Sequence, residues 1–117
     1  MRSVFSPVQT TGFTVVNLDS EAFDEKIKSE NEGILVDVRT RPEHDEVRLP
    51  NSILMDIYAP DFRSKLESLD KTKEYYLYCR SGSRSYHAGL TMVQLGFENV
   101  YNLASGIISW YGEVEQG

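Results

Sequence analysis

The chain has a single cysteine, Cys79, and it lies in a run whose residue types can do chemistry: Tyr75-Tyr76-Leu77-Tyr78-Cys79-Arg80-Ser81-Gly82-Ser83-Arg84-Ser85. The aromatic front of the run reads as a short buried strand. The polar residues and glycine after the cysteine read as a loop, and Arg84-Ser85 opens a segment of helical character. A thiol at a strand's end, in a loop that feeds a helix N-terminus, sits in an anion cradle. Loop N–H groups turn inward, and the helix end adds its positive dipole. A thiolate centred there is stabilised and its pKa falls.

A lone free cysteine is more often a small buried core residue. Arg80, Gly82 and Arg84 argue against that role, because charged neighbours do not suit an apolar core. Gly82 also frees the loop to take positive φ. Cys79 is therefore the candidate nucleophile, with Arg80, Ser81, Gly82, Ser83 and Arg84 as the anion-binding loop and Ser85 in support. Arg80 also reads as a solvated charge pointing outward. Arg84 stands where loop meets helix and is placed to close the cradle by a charge-assisted bond, either to the bound anion or to a neighbouring carboxylate.

Asp37 and Arg39 form a second polar pair. They read as a catalytic pair or, preferably, as a structural fixing of a strand end by pairing or by bonding loop amides. Arg41 and Arg48 read as surface charges. His44 and His87 do not make a metal-ligand spacing with each other or with the cysteine, so both read as ordinary surface or helix residues, and no metal or cofactor is expected. Trp110 and the seven tyrosines read as core and rim.

The elements that must position these residues follow from the rest of the chain. Its 117 residues, 40% of them hydrophobic and 26% charged, fit one globular domain with a core that needs no staples. A net charge of −6 argues against nucleic acid or an anionic membrane as partner. One cysteine makes no internal disulfide, and no apolar run approaches a membrane span or a signal peptide, so a cytoplasmic protein is expected.

Residues 1–12 read as a loose lead-in and 13–117 as the domain. Strands are predicted over Phe13–Leu18, Ile34–Arg39, Ile53–Met55, Tyr75–Tyr78 and Asn99–Leu103. A helix capped by Asp19 or Ser20 carries Phe23 and Ile27 and ends near Asn31-Glu32-Gly33. Pro42 opens a short helix through Glu46, and Pro50-Asn51-Ser52 marks a turn. A helix over Pro60–Leu69 turns Phe62, Leu66 and Leu69 inward. The helix after the cysteine runs to Leu95, with Tyr86, Leu90, Val93 and Phe97 on its inner face and Gly96 as its C′ cap. A last short helix covers Ile107–Tyr111. Alternating strands and helices predict a three-layer α/β fold: a mainly parallel five-stranded sheet with helices on both faces. Binding sites in such sheets lie at the strands' C-terminal ends, where both Cys79 and Asp37 fall.

Several segments, in order, carry a family resemblance from about Phe13 to Gly112. Cys79-Arg80-Ser81-Gly82-Ser83-Arg84-Ser85 resembles the active-site loop of the rhodanese-like sulfurtransferases. Leu35-Val36-Asp37-Val38-Arg39, with Pro42 and Glu43 after it, resembles that family's Asp-x-Arg strand. Leu95-Gly96-Phe97-Glu98-Asn99-Val100 resembles its Gly-Phe-x-x-Val step. Leu103-Ala104-Ser105-Gly106-Ile107, with Trp110, resembles its Leu-x-Gly-Gly-Ile and Trp ending. Two departures stand out. Arg48 replaces a histidine of the family's Gly-His-Ile-Pro-Gly-Ala segment, and Ser105 replaces the first glycine of the Gly-Gly pair.

The resemblance implies sulfur transfer. The Cys79 thiolate would take a sulfane sulfur from a small anionic donor such as thiosulfate, and cyanide or a cellular thiol would accept it. A persulfide carrier serving a sulfur-accepting partner protein is the alternative of a different class. Phosphatases and arsenate reductases share the family's fold but carry a loop one residue longer between cysteine and arginine. Four residues separate Cys79 from Arg84 here, which favours sulfur over a tetrahedral oxyanion.

Overall fold

The computed structural model describes residues 11–29 and 33–117. Most of the predicted lead-in, and Asn31-Glu32 at the predicted end of the first helix, lie outside the described residues. The element order is β1 (Val15–Leu18), α1 (Ser20–Ser29), β2 (Ile34–Asp37), α2 (Arg41–Glu46), β3 (Val47–Arg48), β4 (Ile53–Leu54), α3 (Phe62–Glu67), β5 (Glu74–Tyr78), α4 (Ser83–Gln94), β6 (Asn99–Leu103), a 3-10 turn (Ile107–Ser109) and β7 (Glu115–Gln116).

Five strands form one sheet in the order β1-β6-β5-β2-β4, and every pairing in it is parallel. β5 is the central strand, so the chain reaches Cys79 from the middle of the sheet. Its side chains alternate across the sheet, as period-2 geometry demands. Tyr75, Leu77 and Cys79 pack with Phe62 and Leu66 of α3 and with Ala88, Met92 and Val93 of α4. Tyr76 and Tyr78 pack on the opposite face with Phe23 of α1, Leu35, Leu49 and Leu103. Both faces of the sheet are therefore covered, which gives the three-layer α/β architecture and explains the uninterrupted apolar character of β2 and β5. Asp19 supplies the α1 cap, accepting a bond from the Ala22 amide at 2.8 Å. At the far end of α4, Phe97 N bonds Met92 O (3.0 Å) and Gly96 N bonds Val93 O (3.1 Å), with Gly96 at φ 101°, the Schellman stop that Gly96 forecast.

Some expectations are corrected. The inner face of α4 is Ser85, Ala88, Gly89, Met92 and Val93, whereas Tyr86 is exposed. The helix is turned so that Ser85 lies under the cysteine and Gly89 meets β1 and β6, where a Cβ would stand 3.0 Å from a Val15 methyl. The final helix is only a 3-10 turn, after which Trp110 is extended. Its first two amides serve other strands' loops: Ile107 N bonds Cys79 O at 2.9 Å and Ile108 N bonds Arg80 O at 3.0 Å. α3 is shorter than predicted, although Phe62 and Leu66 are buried as the pattern required. The β3–β7 antiparallel ribbon had no signal, since two-residue strands carry too little pattern to read.

Candidate active site

Cys79 follows the last residue of β5, and only 1% of it is exposed. Its Sγ accepts hydrogen bonds from the Gly82 amide (3.1 Å), the Ser85 amide (3.4 Å) and the Ser85 hydroxyl (3.4 Å). Two of these are backbone donors in the first turn leading into α4, and the helix end adds its positive potential. Burial pushes the thiol up. The Ser85 hydroxyl and the amides of Ser85, Ser81 and Gly82 more than offset it, so the thiol is held below its ordinary range. These donors stabilise a thiolate, the nucleophilic form.

The loop's shape comes from two glycines. Gly82 has φ 97°, and a Cβ there would run into the Ala104 carbonyl. Gly106 has φ 75°, and a Cβ there would run into the Arg80 carbonyl. The cysteine loop thus lies backbone to backbone on residues 104–108. Ser105 has no left-handed backbone, so a serine fits where the resembled family has glycine; its Oγ lies 3.4 Å from the Ser20 Oγ. Asn102 on β6 bonds the Gly82 carbonyl (3.1 Å) and the Asn17 side chain (2.9 Å), tying the loop to β1 and β6. Sequence reasoning missed Asn102, whose partners are distant in the chain.

Arg84 faces Glu43 of α2 in a two-pronged ion pair, with both N···O distances 2.9 Å. That is the neighbouring carboxylate anticipated for Arg84. The pair holds the Glu43 carboxyl at about 2, chiefly through Arg84 and with help from Thr40, while burial opposes the shift. It also holds Arg84 firmly protonated. Arg80, Ser81 and Ser83 are exposed around the loop's outer edge.

Asp37 and Arg39 lie at the end of β2, next to β5 in the sheet. Asp37 is fully buried. Its Oδ1 accepts from Arg39 N (2.9 Å) and Nε (2.9 Å), and its Oδ2 accepts from Arg39 Nη2 (2.7 Å), His44 Nδ1 (2.9 Å) and Tyr78 O–H (2.9 Å). Arg39 Nη2 also donates to the Val47 carbonyl at 2.6 Å. Burial pushes the Asp37 carboxyl up, but Arg39 and then His44 pull it below the usual range. Burial also raises the Tyr78 hydroxyl, to about 12. Asp37 and Arg39 thus pair with each other, and Asp37 also bonds the Arg39 amide.

His44, expected as an ordinary surface or helix residue, lies on α2 with its side chain 13% exposed and bound to Asp37. The periodicity of α2 gave no hint, because the partner sits on a strand. Arg48 donates to the His44 carbonyl (3.2 Å) and faces Glu115 (3.5 Å). Arg41 and His87 are exposed. Trp110 is half-buried and meets Phe23 edge-on. Among the described residues, no His, Cys, Asp and Glu side chains cluster in a way that could hold a metal ion, and no helix is long and apolar enough to cross a membrane.

A cleft of about 330 Å³ opens beside the loop, walled by Arg80, Glu43, Ile108, Trp110 and Val114. A larger hollow of about 400 Å³ on the α1 face is not lined by Cys79 or its loop.

Residues 19–113 match the family model described as a rhodanese-like domain. A sulfurtransferase of Allochromatium vinosum is 32% identical over 82% of this chain and 88% of its own length. YrkF of Bacillus subtilis, provisionally named a sulfur carrier protein, is 29% identical over 87% of this chain and 54% of its own length. The crystal structure of a rhodanese-like domain protein from Staphylococcus aureus superposes with a TM-score of 0.74 at 25% identity, covering 87% of this chain and 98% of that one.

Proposed function

Because this chain belongs to the rhodanese-like family, we propose that it transfers sulfane sulfur through a persulfide on Cys79. The family supports sulfur transfer in general; the donor, the intermediate and the residue roles are the proposal. The observation that carries it is the set of amide and hydroxyl donors converging on the Cys79 Sγ.

The Cys79 thiolate attacks the outer sulfur of thiosulfate. The S–S bond of the donor breaks, sulfite leaves with the electron pair, and a persulfide anion remains on Cys79. A thiophilic acceptor then attacks the terminal sulfur. Cyanide departs as thiocyanate, or a thiolate departs as its own persulfide, and the Cys79 thiolate is restored. Sulfite leaves in the first half-reaction and the stabilised Cys79 thiolate in the second, both good leaving groups, so neither demands a general acid beside the cysteine. The loop amides and the α4 N-terminus hold the negative charge as it moves outward by one sulfur. Arg80 lies on the rim where an anionic donor would approach.

The loop is a poor fit for phosphate. A tetrahedral oxyanion needs amide donors spread around three oxygens, and here they already close on one sulfur. Arg84, which would otherwise reach for the oxyanion, is spent on Glu43. A second reading, a persulfide carrier that hands sulfur to a partner protein, shares the first half-reaction. The provisional name of YrkF supports it, and so does Ile108, exposed at the cleft's wall.

The test is steady-state thiocyanate formation with thiosulfate and cyanide both varied. Parallel double-reciprocal lines are expected, the signature of a covalent intermediate. Intersecting lines would contradict the proposal, and turnover of a phosphoester instead of thiosulfate would replace it.

A further inference from the structure

We infer that His44 is a positioning residue for the Cys79 loop, acting through α2 and the Glu43–Arg84 ion pair. What it positions takes its meaning from the persulfide reading, but the coupling can be tested without it.

α2 buries no side chain. A helix of this kind gains nothing from an apolar face, so polar contacts must seat it. Thr40 caps its start on Glu43, Arg39 and Arg48 bond carbonyls near its end, and two adjacent side chains tie it to the neighbouring strand and helix. His44 sends its imidazole to Asp37 at the end of β2 (2.9 Å). Glu43 sends its carboxylate to Arg84 in the first turn of α4 (2.9 Å on both prongs). Successive helical residues point about 100° apart, so one peptide unit reaches two elements at once. Asp37 has a depressed pKa and is an acceptor, which assigns the proton to His44 Nδ1.

The path to the sulfur is short. His44 on Asp37 fixes the rotation of α2, and that rotation sets where Glu43 presents its carboxylate. Glu43 holds Arg84, the neighbour of Ser85, whose amide and hydroxyl both donate to the Cys79 Sγ. Losing His44 loosens this chain of contacts without unfolding the site. Arg39 and Tyr78 still satisfy Asp37, and the Arg39–Val47 bond still holds the end of α2. Arg48 meets the His44 carbonyl and Glu115, not Asp37, and does not replace the imidazole.

The test is a double-mutant cycle read in two ways: the rate of sulfur loading from thiosulfate, and the pH profile of Cys79 alkylation by iodoacetamide. His44→Phe keeps the bulk and loses the donor; loading is expected to fall by about fivefold, the size of an ordinary coupling between contacting groups. The alkylation profile is expected to move to higher pH, because donors that drift from Sγ stabilise the thiolate less. His44→Asn returns an N–H near the Nδ1 position and should restore both readouts to within about twofold, well inside that coupling. In a Glu43→Gln background, His44→Phe should change neither readout further, since the link it acts through is already cut.

A deficit of the same size with and without Glu43 would overturn the inference, and so would a His44→Phe protein indistinguishable from wild type. Should the phenylalanine variant not fold, His44→Ala enters the same cycle. If the wild type loads no sulfur yet His44→Phe shifts alkylation in a Glu43-dependent way, the persulfide reading fails while this inference stands.

Discussion

Two buried polar sites sit side by side at the C-terminal ends of β2 and β5, and they are built in opposite ways. Asp37 is held by side chains. Arg39, His44 and Tyr78 all close on it, and with the Arg39 amide both carboxylate oxygens are filled. Cys79 is held mostly by backbone, with two amides and one hydroxyl pointing at a single sulfur. With both oxygens filled beside a buried guanidinium, Asp37 has little capacity left for a substrate, and we propose that it serves to fix structure. A sulfur ringed by rigid amides can change its bonding partner while the amides stay in place, which is what preorganised electrostatic stabilisation requires. Both sites gather hydrogen-bond donors, and under the proposed function they differ in whether the group they hold reacts.

Breaking the saturated site should have the largest effect on stability. Asp37→Asn leaves the Arg39 guanidinium buried without its counter-charge, a defect that costs about 3–5 kcal/mol. Urea unfolding is expected to show that loss as a lower midpoint, while the folded fraction still loads sulfur with a deficit no greater than that of His44→Phe. A variant as stable as wild type but unable to load sulfur would make Asp37 part of the chemistry and erase the contrast.

The reactive site should respond in the other direction. Ser85→Ala removes one of the donors on Sγ, worth about 1 kcal/mol or roughly fivefold in thiolate stabilisation. Its alkylation profile is expected to move to higher pH with little change in the unfolding midpoint. An unchanged profile would mean that the backbone amides alone set the thiol's acidity.

The smallest effect concerns the link between the sites. Glu43 titrates at about 2 when folded, below its ordinary range. As pH falls from the ordinary carboxylate range toward 2, the unfolded chain takes up the proton first, so the folded state loses stability across that window. Glu43→Gln should flatten this part of the acid limb in a pH series of urea midpoints. An acid limb unchanged by the substitution would show that the Arg84 pair adds nothing to stability.

How legible each site was in the sequence follows the same contrast. The cysteine loop occupies seven consecutive residues, and its donors are mostly backbone, so residue order and one glycine were enough to foresee it. The partners of Asp37 come from three elements. Arg39 was visible two residues away, but His44 and Tyr78 reach Asp37 only after the chain folds back. Glu43 and Arg84 are 41 residues apart. The sequence left Arg84 with two possible partners, a bound anion or a neighbouring carboxylate, and could not name Glu43. The sheet was readable because both its faces are buried, which leaves uninterrupted apolar runs. The face of α4 was readable only in part: Val93 and Phe97 are buried, but Tyr86 is exposed, and Ser85 and Gly89 lie inward for reasons of site geometry and close packing rather than hydrophobicity. The last helix was misjudged because the backbone turns extended at Trp110 after a single 3-10 turn, which the residues did not signal.

The central claim is that Cys79 carries the sulfur. Intact mass spectrometry of the protein treated with thiosulfate, and then with cyanide, measures it directly. The account predicts a gain of one sulfur located on Cys79, its complete removal by cyanide, and no gain in Cys79→Ser. A wild-type thiol left unmodified, or an equal gain of sulfur in Cys79→Ser, would contradict it.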